Sequence, residues 1–303
     1  MDDVPFLKGH ATRNDFVILP DHDDELELDA ALVRAICDRR RGLGADGILR
    51  VVAVPAGDAP VSSAGATADA AAGRPPQPAA GRPPQPAAAR WFMDYRNADG
   101  SVAEICGNGI RLFARYLVDA GLEEAGRFLV GTRIGPVPVD VPPAGDVTAW
   151  LPAPELRGGG RARFDGRMLE GVRVSVGNPH LVCVVDTLAD VDFTRAPVLD
   201  SDEFPDGANV EVVEIERPGV LRMRVYERGV GETWSCGSGA CAVAAVAEGA
   251  ERIPRPADGW WRIVVPGGEL RIRFDGDRVA LAGPAVVVAE GRLHLAALEK
   301  SDG

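Results

Sequence analysis

The chain has 303 residues, of which 46% are hydrophobic and 26% charged, so it can bury a full core, and its length suits two globular domains. Asp and Glu number 45 against 33 Lys and Arg. The net charge of −12 argues against nucleic acid or an anionic membrane as the partner and favours a small polar ligand.

Two further features predict the compartment. The opening residues, MDDVPFLKGH, lack the basic segment and apolar stretch of a secretory leader, and no run of about 18 apolar residues occurs. The five cysteines are spread along the chain and do not form the framework of a secreted disulfide protein. We therefore expect a cytoplasmic protein with reduced thiols.

The first predicted helix follows Asp29, because Leu32, Val33 and Ile36 recur there at helical spacing and Asp is a favoured N-cap residue. Residues 55–89 consist mainly of Ala, Pro, Gly and Ser and contain the octapeptide GRPPQPAA twice in tandem. Such a composition cannot form a packed core, and we interpret the segment as a disordered insert that the fold tolerates. A Pro-rich ligand for a partner domain is the alternative.

Two more helices are predicted, after Gly109 and over about residues 238–248. The second is apolar on every face, as expected for a helix surrounded by protein. Apolar and basic residues alternate at 221–225 and 270–274, a pattern typical of half-buried strands. Gly267-Gly268 and Glu290-Gly291 are predicted hairpin turns. Strands that wrap buried helices indicate an α+β fold.

Two segments of the same design, CGNG at 106–109 and CGSG at 236–239, each open a predicted helix. The dipole and the unpaired amides of a helix N-terminus favour a thiolate, so we expect the pKa of Cys106 and Cys236 to fall from about 8.5 toward neutrality. The neighbouring glycines leave room for the same amides to bind a carboxylate.

Two thiols that face one ligand from opposite sides can invert a stereocentre, since one thiolate removes a proton and the other thiol delivers a new one. The amides at the helix N-termini would stabilise the charge that develops on an adjacent carboxylate. The alternative is that both cysteines are small, buried and inert. That interpretation fits Cys37, Cys183 and Cys241 better.

Other chemistry has less support. The four histidines lack metal-ligand spacing with cysteine, and no GxGxxG after a strand, P-loop or GxSxG occurs. Lys8 is the only lysine near possible chemistry, which makes a pyridoxal phosphate site doubtful. We therefore expect no cofactor and no metal.

Several segments together resemble the diaminopimelate epimerase family. They are NADGSVAEICGNG (97–109), VGNPH (176–180), FPDGANV (204–210), YERGVGETWSCGSGACA (226–242) and the earlier stretches GHATRNDFVIL and RGLGADGILRV. Their order and spacing agree with the family over most of the chain. The resemblance implies interconversion of LL- and meso-diaminopimelate without a cofactor, in lysine and peptidoglycan precursor synthesis.

The resemblance also implies roles for individual residues. Cys106 and Cys236 match the catalytic thiols. The positions that match substrate-binding residues are Asn14, Asn97, Gly107, Asn108, Asn178, Asn209, Glu227, Arg228, Gly237 and Ser238. His180 and Glu227 match residues that tune the thiols. The guanidinium of Arg228 suits a distal carboxylate, and Glu227 suits an ammonium group.

Each of these residues has a structural alternative. Asn14 and Asn178 are common turn formers, and Asn97 and Asn209 suit local backbone hydrogen bonds. His180 could be a core histidine, and Glu227-Arg228 could be the solvated edge of a strand. Three other functions also stay open: a proline or hydroxyproline racemase of the same superfamily, a thiol-disulfide redox module, and an amino-acid-binding protein without catalysis.

The predicted architecture has two pseudo-symmetric halves, each a curled, mainly antiparallel sheet around a buried helix. The first domain comprises 1–145 plus 282–303, and the second comprises 146–281. The resemblance places the site in the cleft between them and predicts that a strand pair at about 282–298 returns to the first domain. A homodimer is an option, although Ala289 stands where many members carry a Tyr implicated in dimer contact.

Overall fold

A computed structural model of the chain describes residues 3–55, 89–250 and 253–299. The predicted insert therefore lies, from residue 56 to residue 88, outside the described residues. The strands are β1 (Asp3–Ala11), β2 (Asn14–Pro20), β3 (Gly47–Ala53), β4 (Trp91–Asn97), β5 (Gly126–Thr132), β6 (Gly135–Val141), β7 (Val147–Pro152), β8 (Glu155–Phe164), β9 (Arg167–Ser175), β10 (Pro179–Val185), β11 (Val198–Leu199), β12 (Asn209–Arg217), β13 (Val220–Glu227), β14 (Gly231–Thr233), β15 (Trp261–Val265), β16 (Gly268–Asp275), β17 (Arg278–Gly283) and β18 (Val286–His294). The helices are α1 (Ala30–Cys37), α2 (Gly107–Asp119), α3 (Gly237–Gly249) and α4 (Leu295–Glu299), with a 3-10 turn at Leu188–Asp190.

Strand pairing divides the chain into two halves of the same design. The first half runs β18-β1-β2-β3-β4-β5-β6-β7. The second runs β8-β9-β10-β12-β13-β15-β16-β17. Strands β7 and β17 pair in antiparallel fashion where the halves meet.

The parallel pairs show that the two halves correspond. They are β2/β3 and β4/β5 in the first half and β10/β12 and β13/β15 in the second, at equivalent places in the order. A parallel pair needs a long crossover connection, and the second pair in each half is connected through a helix, α2 or α3. Each half therefore carries one central helix at the same topological position.

Both central helices are enclosed by strands, as predicted. Residues 240–247 of α3 are all buried, which explains why this helix is apolar on every face. Helix α2 packs against β1, β6 and β7, and α3 packs against β10, β12 and β16. The predicted α+β fold is confirmed. The sheets enclose the two central helices, and the N-termini of these helices lie at Gly107 and Gly237.

Local predictions were confirmed at two places and wrong at a third. Asp29 caps α1 by accepting a hydrogen bond from the amide of Leu32, and a hairpin turn separates β15 from β16. Glu290-Gly291 is not a turn, because β18 continues through it as one strand paired with β1. Gly291 faces the side chain of Phe6 in β1, since a Cβ there would lie 2.9 Å from the Phe6 ring. The segment that returns to β1 is thus one strand followed by α4.

Candidate active site

The two central helices touch at their first residues. A Cβ atom placed on Gly237 would lie 3.3 Å from the Cα of Gly107, and one placed on Gly107 would lie 3.6 Å from the Cα of Gly237. Contact this close between two backbones requires residues without side chains. The positive ends of two helix dipoles therefore converge on one point.

Cys106 and Cys236 occupy equivalent positions at this junction. Each is the N-cap of its helix, with extended backbone angles of φ −133°, ψ 118° for Cys106 and φ −122°, ψ 114° for Cys236. Each sulfur accepts a hydrogen bond from the amide three residues later, at 3.3 Å in both turns. Ser238 lies beside the second thiol, with its Oγ 3.4 Å from the Cys236 sulfur. The paired design predicted from CGNG and CGSG is present in three dimensions.

The expected fall in the cysteine pKa values is wrong, because the pKa values of Cys106 and Cys236 are raised. Burial raises the pKa of Cys106 above its usual value, and this outweighs the lowering by the amides of Gly109 and Asn108. Burial, followed by the negative charges of Glu227 and Glu211, raises the pKa of Cys236 well above its usual value. Burial removes hydration and so disfavours the charged thiolate, and this loss exceeds the stabilisation provided by the helix N-terminus.

The asparagines of the first half lie next to Cys106. Asn14 donates from Nδ2 to Asp46 at 2.7 Å, which turns its Oδ1 toward Asn108 Nδ2, 3.1 Å away, and the Cys106 sulfur, 4.0 Å away. Asn97 accepts a hydrogen bond from the hydroxyl of Tyr95 at 2.7 Å. Burial and then Cys106 raise the pKa of Tyr95 well above its usual value. Of the three predicted asparagines, Asn14 lies beside the Cys106 sulfur and Asn108 contacts Asn14. Asn97 is linked to this thiol through Tyr95.

A buried chain of polar side chains lies behind the second cysteine turn. The side chain of His180 is fully buried and lies between Asn178 Oδ1, 3.0 Å from Nε2, and Glu211 Oε1, 2.7 Å from Nδ1. Glu211 in turn abuts Gly239, where a Cβ would lie 2.5 Å from its Oε1. His180 is therefore a buried histidine that also connects a predicted substrate-binding residue to the start of α3.

Glu227 is the last residue of β13, and Arg228 follows it directly. Burial raises the pKa of Glu227 to about 7, although Thr233 Oγ1 donates a hydrogen bond to it. The amide of Arg228 donates to Asn209 Oδ1 at 2.9 Å, and its guanidinium donates to the carbonyl of Asp206 at 3.1 Å. Among the described residues, the guanidinium of Arg228 contacts this carbonyl and forms no salt bridge with a carboxylate.

Glu227 should make stability depend on pH. Its pKa is about 7 in the folded chain against 4.5 for a free Glu side chain, so the folded state binds more protons between these values. The stabilisation is complete below pH 4.5 and is lost as the pH rises through 7. Glu227→Gln should remove this component. The free energy of unfolding in denaturant at pH 5 and pH 7.5 should therefore fall less with pH in the variant, and equal falls would contradict the assignment.

Sequence reasoning missed Glu211, Tyr95 and Asp46, which contact the predicted residues. Glu211 had a signal, since it is the one charged residue among Val210, Val212 and Val213 in a strand buried at this point. A carboxylate in such a run is expected only where a partner compensates its burial. Tyr95 and Asp46 had no comparable signal, because their roles depend on neighbours distant in sequence.

The remaining cysteines lie away from this junction or inside a helix. Cys37, Cys183 and Cys241 are buried, and burial raises the pKa of each to about 12. Within residues 3–55, 89–250 and 253–299, no three His, Cys, Asp or Glu side chains are grouped as metal ligands. In the same ranges, no helix has the length and hydrophobicity to span a membrane.

Three comparisons relate the chain to known proteins. The sequence model of the family described as diaminopimelate epimerase matches residues 83–150 and 172–291. A diaminopimelate epimerase of Acidothermus cellulolyticus is 99% identical over the full length of both chains. One of Thermobifida fusca is 51% identical and covers 97% of this chain and 99% of its own.

Solved structures show the same fold at low identity. A PhzF-family phenazine biosynthesis protein of Bacillus anthracis is 18% identical with a TM-score of 0.66, covering 97% of this chain and 99% of its own. A hydroxyproline epimerase of Agrobacterium vitis is 12% identical with a TM-score of 0.60, covering 97% and 94%. Together with the sequence matches, the fold and the paired cysteine turns show that the chain belongs to the diaminopimelate epimerase family.

Proposed function

We propose that the chain is an isomerase that interconverts LL- and meso-diaminopimelate without a cofactor, using Cys106 and Cys236 as acid and base. One observation carries the proposal: the two cysteines cap two helices whose first residues touch. A ligand held at that contact has a thiol on either side. The family assignment identifies the substrate, and the site accounts for the chemistry.

The proposed reaction moves one proton off the α-carbon and another onto it. The thiolate of one cysteine removes the α-proton, and the electron pair left on carbon spreads onto the adjacent carboxylate. The thiol of the other cysteine then donates its proton to the opposite face. Afterwards the first cysteine is a thiol and the second a thiolate, and the configuration at carbon is inverted. Reversal of these steps gives the opposite conversion.

Backbone amides are the groups that stabilise the transient negative charge in this proposal. The amides of Gly107, Asn108, Gly237 and Ser238 lie in the first turns of the two helices, where amides lack partners within the helix. Donors fixed in advance at the place where charge develops are a large source of catalysis. Their convergence from two helices also explains how a weakly acidic α-proton could be removed.

The raised thiol pKa values fit this scheme once substrate is considered. A Cys236 thiolate would be buried away from water and would face the carboxylates of Glu227 and Glu211. The substrate brings an ammonium group next to its α-carbon, and a nearby positive charge favours the thiolate. We propose that Glu227 and His180 tune the thiols through this balance.

The other end of the substrate determines specificity. Diaminopimelate carries a second amino-acid group, and Arg228 can bind its carboxylate while the amide groups of Asn14, Asn97, Asn178 and Asn209 bind the remaining polar atoms. Proline and hydroxyproline have no second charged end. Arg228 would then have no anionic partner, so the fold relatives that act on such substrates are the weaker models.

A substrate panel tests the proposal. The reduced protein, without added cofactor, should convert LL-diaminopimelate to the meso isomer and should leave L-proline and trans-4-hydroxy-L-proline unchanged. Chiral chromatography of the products measures this. Racemisation of proline instead would move the assignment to a racemase, and binding of diaminopimelate without conversion would indicate a binding protein.

Oxidation should inactivate the protein reversibly. We propose that the two thiols, which cap helices whose first residues touch, can move together and form a disulfide, as a consequence of geometry and not as the function. Treatment with peroxide should abolish epimerisation and reduce the free-thiol titre by two, and dithiothreitol should restore both. Full activity after both cysteines are oxidised would contradict the two-thiol mechanism, and disulfide transfer to a partner protein would favour the redox module.

The cellular setting completes the proposal. We propose a cytoplasmic enzyme of lysine and peptidoglycan precursor synthesis that binds no nucleic acid, with the homodimer as an option. In this proposal the domains comprise 1–145 plus 282–303 and 146–281, which places β7 in the second domain although it pairs with β6 of the first half. The bounds near 145 and 282 stay a prediction, because β7 and β17 pair with each other across the junction.

A further inference from the structure

Four buried polar side chains lie behind the junction of the two helices, and we call them the seam cluster: Thr12, Asn108, Arg111 and Ser235. None is more than 2% exposed. They come from the β1–β2 turn, from α2 and from the residue directly before Cys236. The cluster therefore connects the two cysteine turns across the two halves.

Arg111 is the charged member of the cluster. Its Nη1 donates to the carbonyl of Gly107 at 2.9 Å, and its Nη2 donates to Asn108 Oδ1 at 3.0 Å and to Thr12 Oγ1 at 3.3 Å. The carboxylate whose charge acts on Arg111, Asp146, forms its salt bridge with Arg271 instead, and within the described residues Arg111 Nε has no hydrogen-bond partner. A buried charge without a counterion is unfavourable, and here it also lies beside the positive ends of two helices.

This excess of positive charge becomes favourable when an anion enters the site. The reacting carboxylate and a cysteine thiolate are the anions that the proposed reaction places at the helix junction. The Nη atoms of Arg111 contact protein oxygens, and its unpartnered Nε lies beside Gly283, where a Cβ would be 3.5 Å away. Arg111 therefore acts on the site through the residues that it holds.

The hydrogen bond to Asn108 fixes the orientation of an amide group. Because Arg111 occupies Oδ1 of Asn108, the Nδ2 group is directed at Asn14 Oδ1, 3.1 Å away, and the carbonyl of Ser235, 3.2 Å away. If the amide group of Asn108 were turned over, its Nδ2 would face the donor of Arg111. Its Oδ1 would then face the oxygens of Asn14 and Ser235. Arg111 thus determines how Asn108 joins the first cysteine turn to the residue before the second cysteine.

Thr12 shows that the chain tolerates backbone strain at the same place. Thr12 and Arg13 form the two-residue turn between β1 and β2 with φ angles of 49° and 65°. Glycine and asparagine are preferred in such turns, and a β-branched residue with positive φ is an outlier. The Thr12 hydroxyl lies 2.8 Å from Ser235 Oγ and accepts a hydrogen bond from Arg111. Strain of this kind persists where surrounding contacts impose it, often at functional sites.

We propose that Arg111 is a positioning residue which, through Asn108 and through Thr12 and Ser235, holds the two cysteine turns at the separation that inversion requires. The inference rests on the proposed function and adds residues to it. Removal of a proton needs one thiol at the α-carbon, whereas inversion needs both on opposite faces. Loosening the seam cluster should therefore damage inversion more than proton exchange.

The test uses Thr12→Val, Thr12→Ser and Arg111→Lys in the full chain. Thr12→Val keeps the shape and the strain but removes the hydroxyl, and Thr12→Ser keeps the hydroxyl. Arg111→Lys keeps the charge but loses the planar fork that serves several oxygens. For each variant, NMR in D₂O with LL-diaminopimelate measures the rate of α-deuteration in recovered substrate and the rate of meso formation, and thermal unfolding gives the midpoint.

A misplacement of about 1 Å can cost about 100-fold in rate, so we expect Thr12→Val and Arg111→Lys to lower meso formation by about 10- to 100-fold. The ratio of exchange to inversion should rise in both variants. Thr12→Ser should keep the wild-type ratio and melt at the same or a higher temperature. A merely structural role would lower both rates in proportion to the folded fraction.

Exchange and inversion that fall equally in Thr12→Val and Arg111→Lys would overturn the inference while leaving the proposed function intact. Wild-type protein that neither exchanges nor inverts the α-carbon would overturn the proposed function itself and the inference with it. The two failures are distinguished by the wild-type sample alone.

Discussion

Cys106→Ser and Cys236→Ser should each lower the rate of diaminopimelate epimerisation by about 10²–10⁴-fold, the contribution typical of a general acid or base. Each hydroxyl is a far weaker acid than a thiol and cannot provide the anion at neutral pH. Serine is also a favoured N-cap residue, so the hydrogen bonds that the sulfurs accept from Gly109 and Gly239 should be replaced. The initial rates in both directions, measured by coupled assay, check this expectation.

The matched control for the two serine variants is Cys37→Ala. Cys37 is buried in α1, and burial raises its pKa to about 12, so it is neither exposed nor ionised. This variant should keep the wild-type turnover even if the unfolding midpoint falls. If Cys106→Ser or Cys236→Ser retains wild-type turnover, the two-thiol mechanism is contradicted, whatever the control does.

Gly237→Ala should lower turnover by about 100-fold, because a displacement of roughly 1 Å at a reacting centre has an effect of this size. The added methyl group would lie 3.1 Å from Leu281 Cδ2 and 3.3 Å from both Asn108 Oδ1 and the Cα of Gly107. Leu281 can adjust, but the backbone of the other helix cannot move without moving Cys106. The two helix N-termini should separate, and the thiols and the carboxylate-binding amides should separate with them.

Gly249→Ala is the control for this variant in the same helix. A Cβ at Gly249 would meet Leu156 Cδ1 at 3.5 Å, an ordinary contact, and nothing closer. Both variants remove a helical glycine, and alanine favours the helix, but the close contacts at Gly237 should lower the unfolding midpoint of Gly237→Ala alone, so turnover is compared per folded protein. Turnover should fall in Gly237→Ala alone. Equal turnover in the two variants would show that the close contact of the helices is not needed.

Much of the site could be predicted because its parts are local in sequence. CGNG and CGSG each combine a cap residue with glycines that permit close approach, and the helix after CGSG is apolar on every face. These signals need no knowledge of distant residues. They predicted two enclosed helices with cysteine at the start of each, and the structure has both.

The cysteine pKa values could not be predicted in the same way. The helix dipole is a local property of α2 and α3, whereas the hydration lost by Cys106 and Cys236 depends on how the two halves pack together. The negative charges of Glu227 and Glu211 raise the pKa of Cys236 further. Glu227 lies in β13 and Glu211 in β12, both outside the helix that Cys236 caps. Tertiary packing therefore reversed the sign of a correct local argument.

The supporting residues were missed for a related reason. Arg111 and Glu211 stand among apolar neighbours, and this is a signal that a partner exists but not which partner. Arg111 contacts Thr12, 99 positions away, and Thr12 contacts Ser235, 223 positions away. The wrong hairpin at Glu290-Gly291 has the same origin, because a Glu-Gly pair indicates a turn only when no distant strand pairs through it.

The central claim is that two thiols act on opposite faces of one carbon, and the fate of the transferred proton tests it most directly. Reduced protein is mixed with unlabelled LL-diaminopimelate in D₂O, and NMR at low conversion follows the α-hydrogen in the meso product and in the remaining substrate. With two thiols, the new hydrogen comes from the second thiol, which has exchanged with solvent. The early meso product should therefore carry deuterium at the inverted carbon, while the remaining LL substrate keeps its proton. An early meso product that retains the substrate's own proton would contradict the account, because one base would then have removed and returned it.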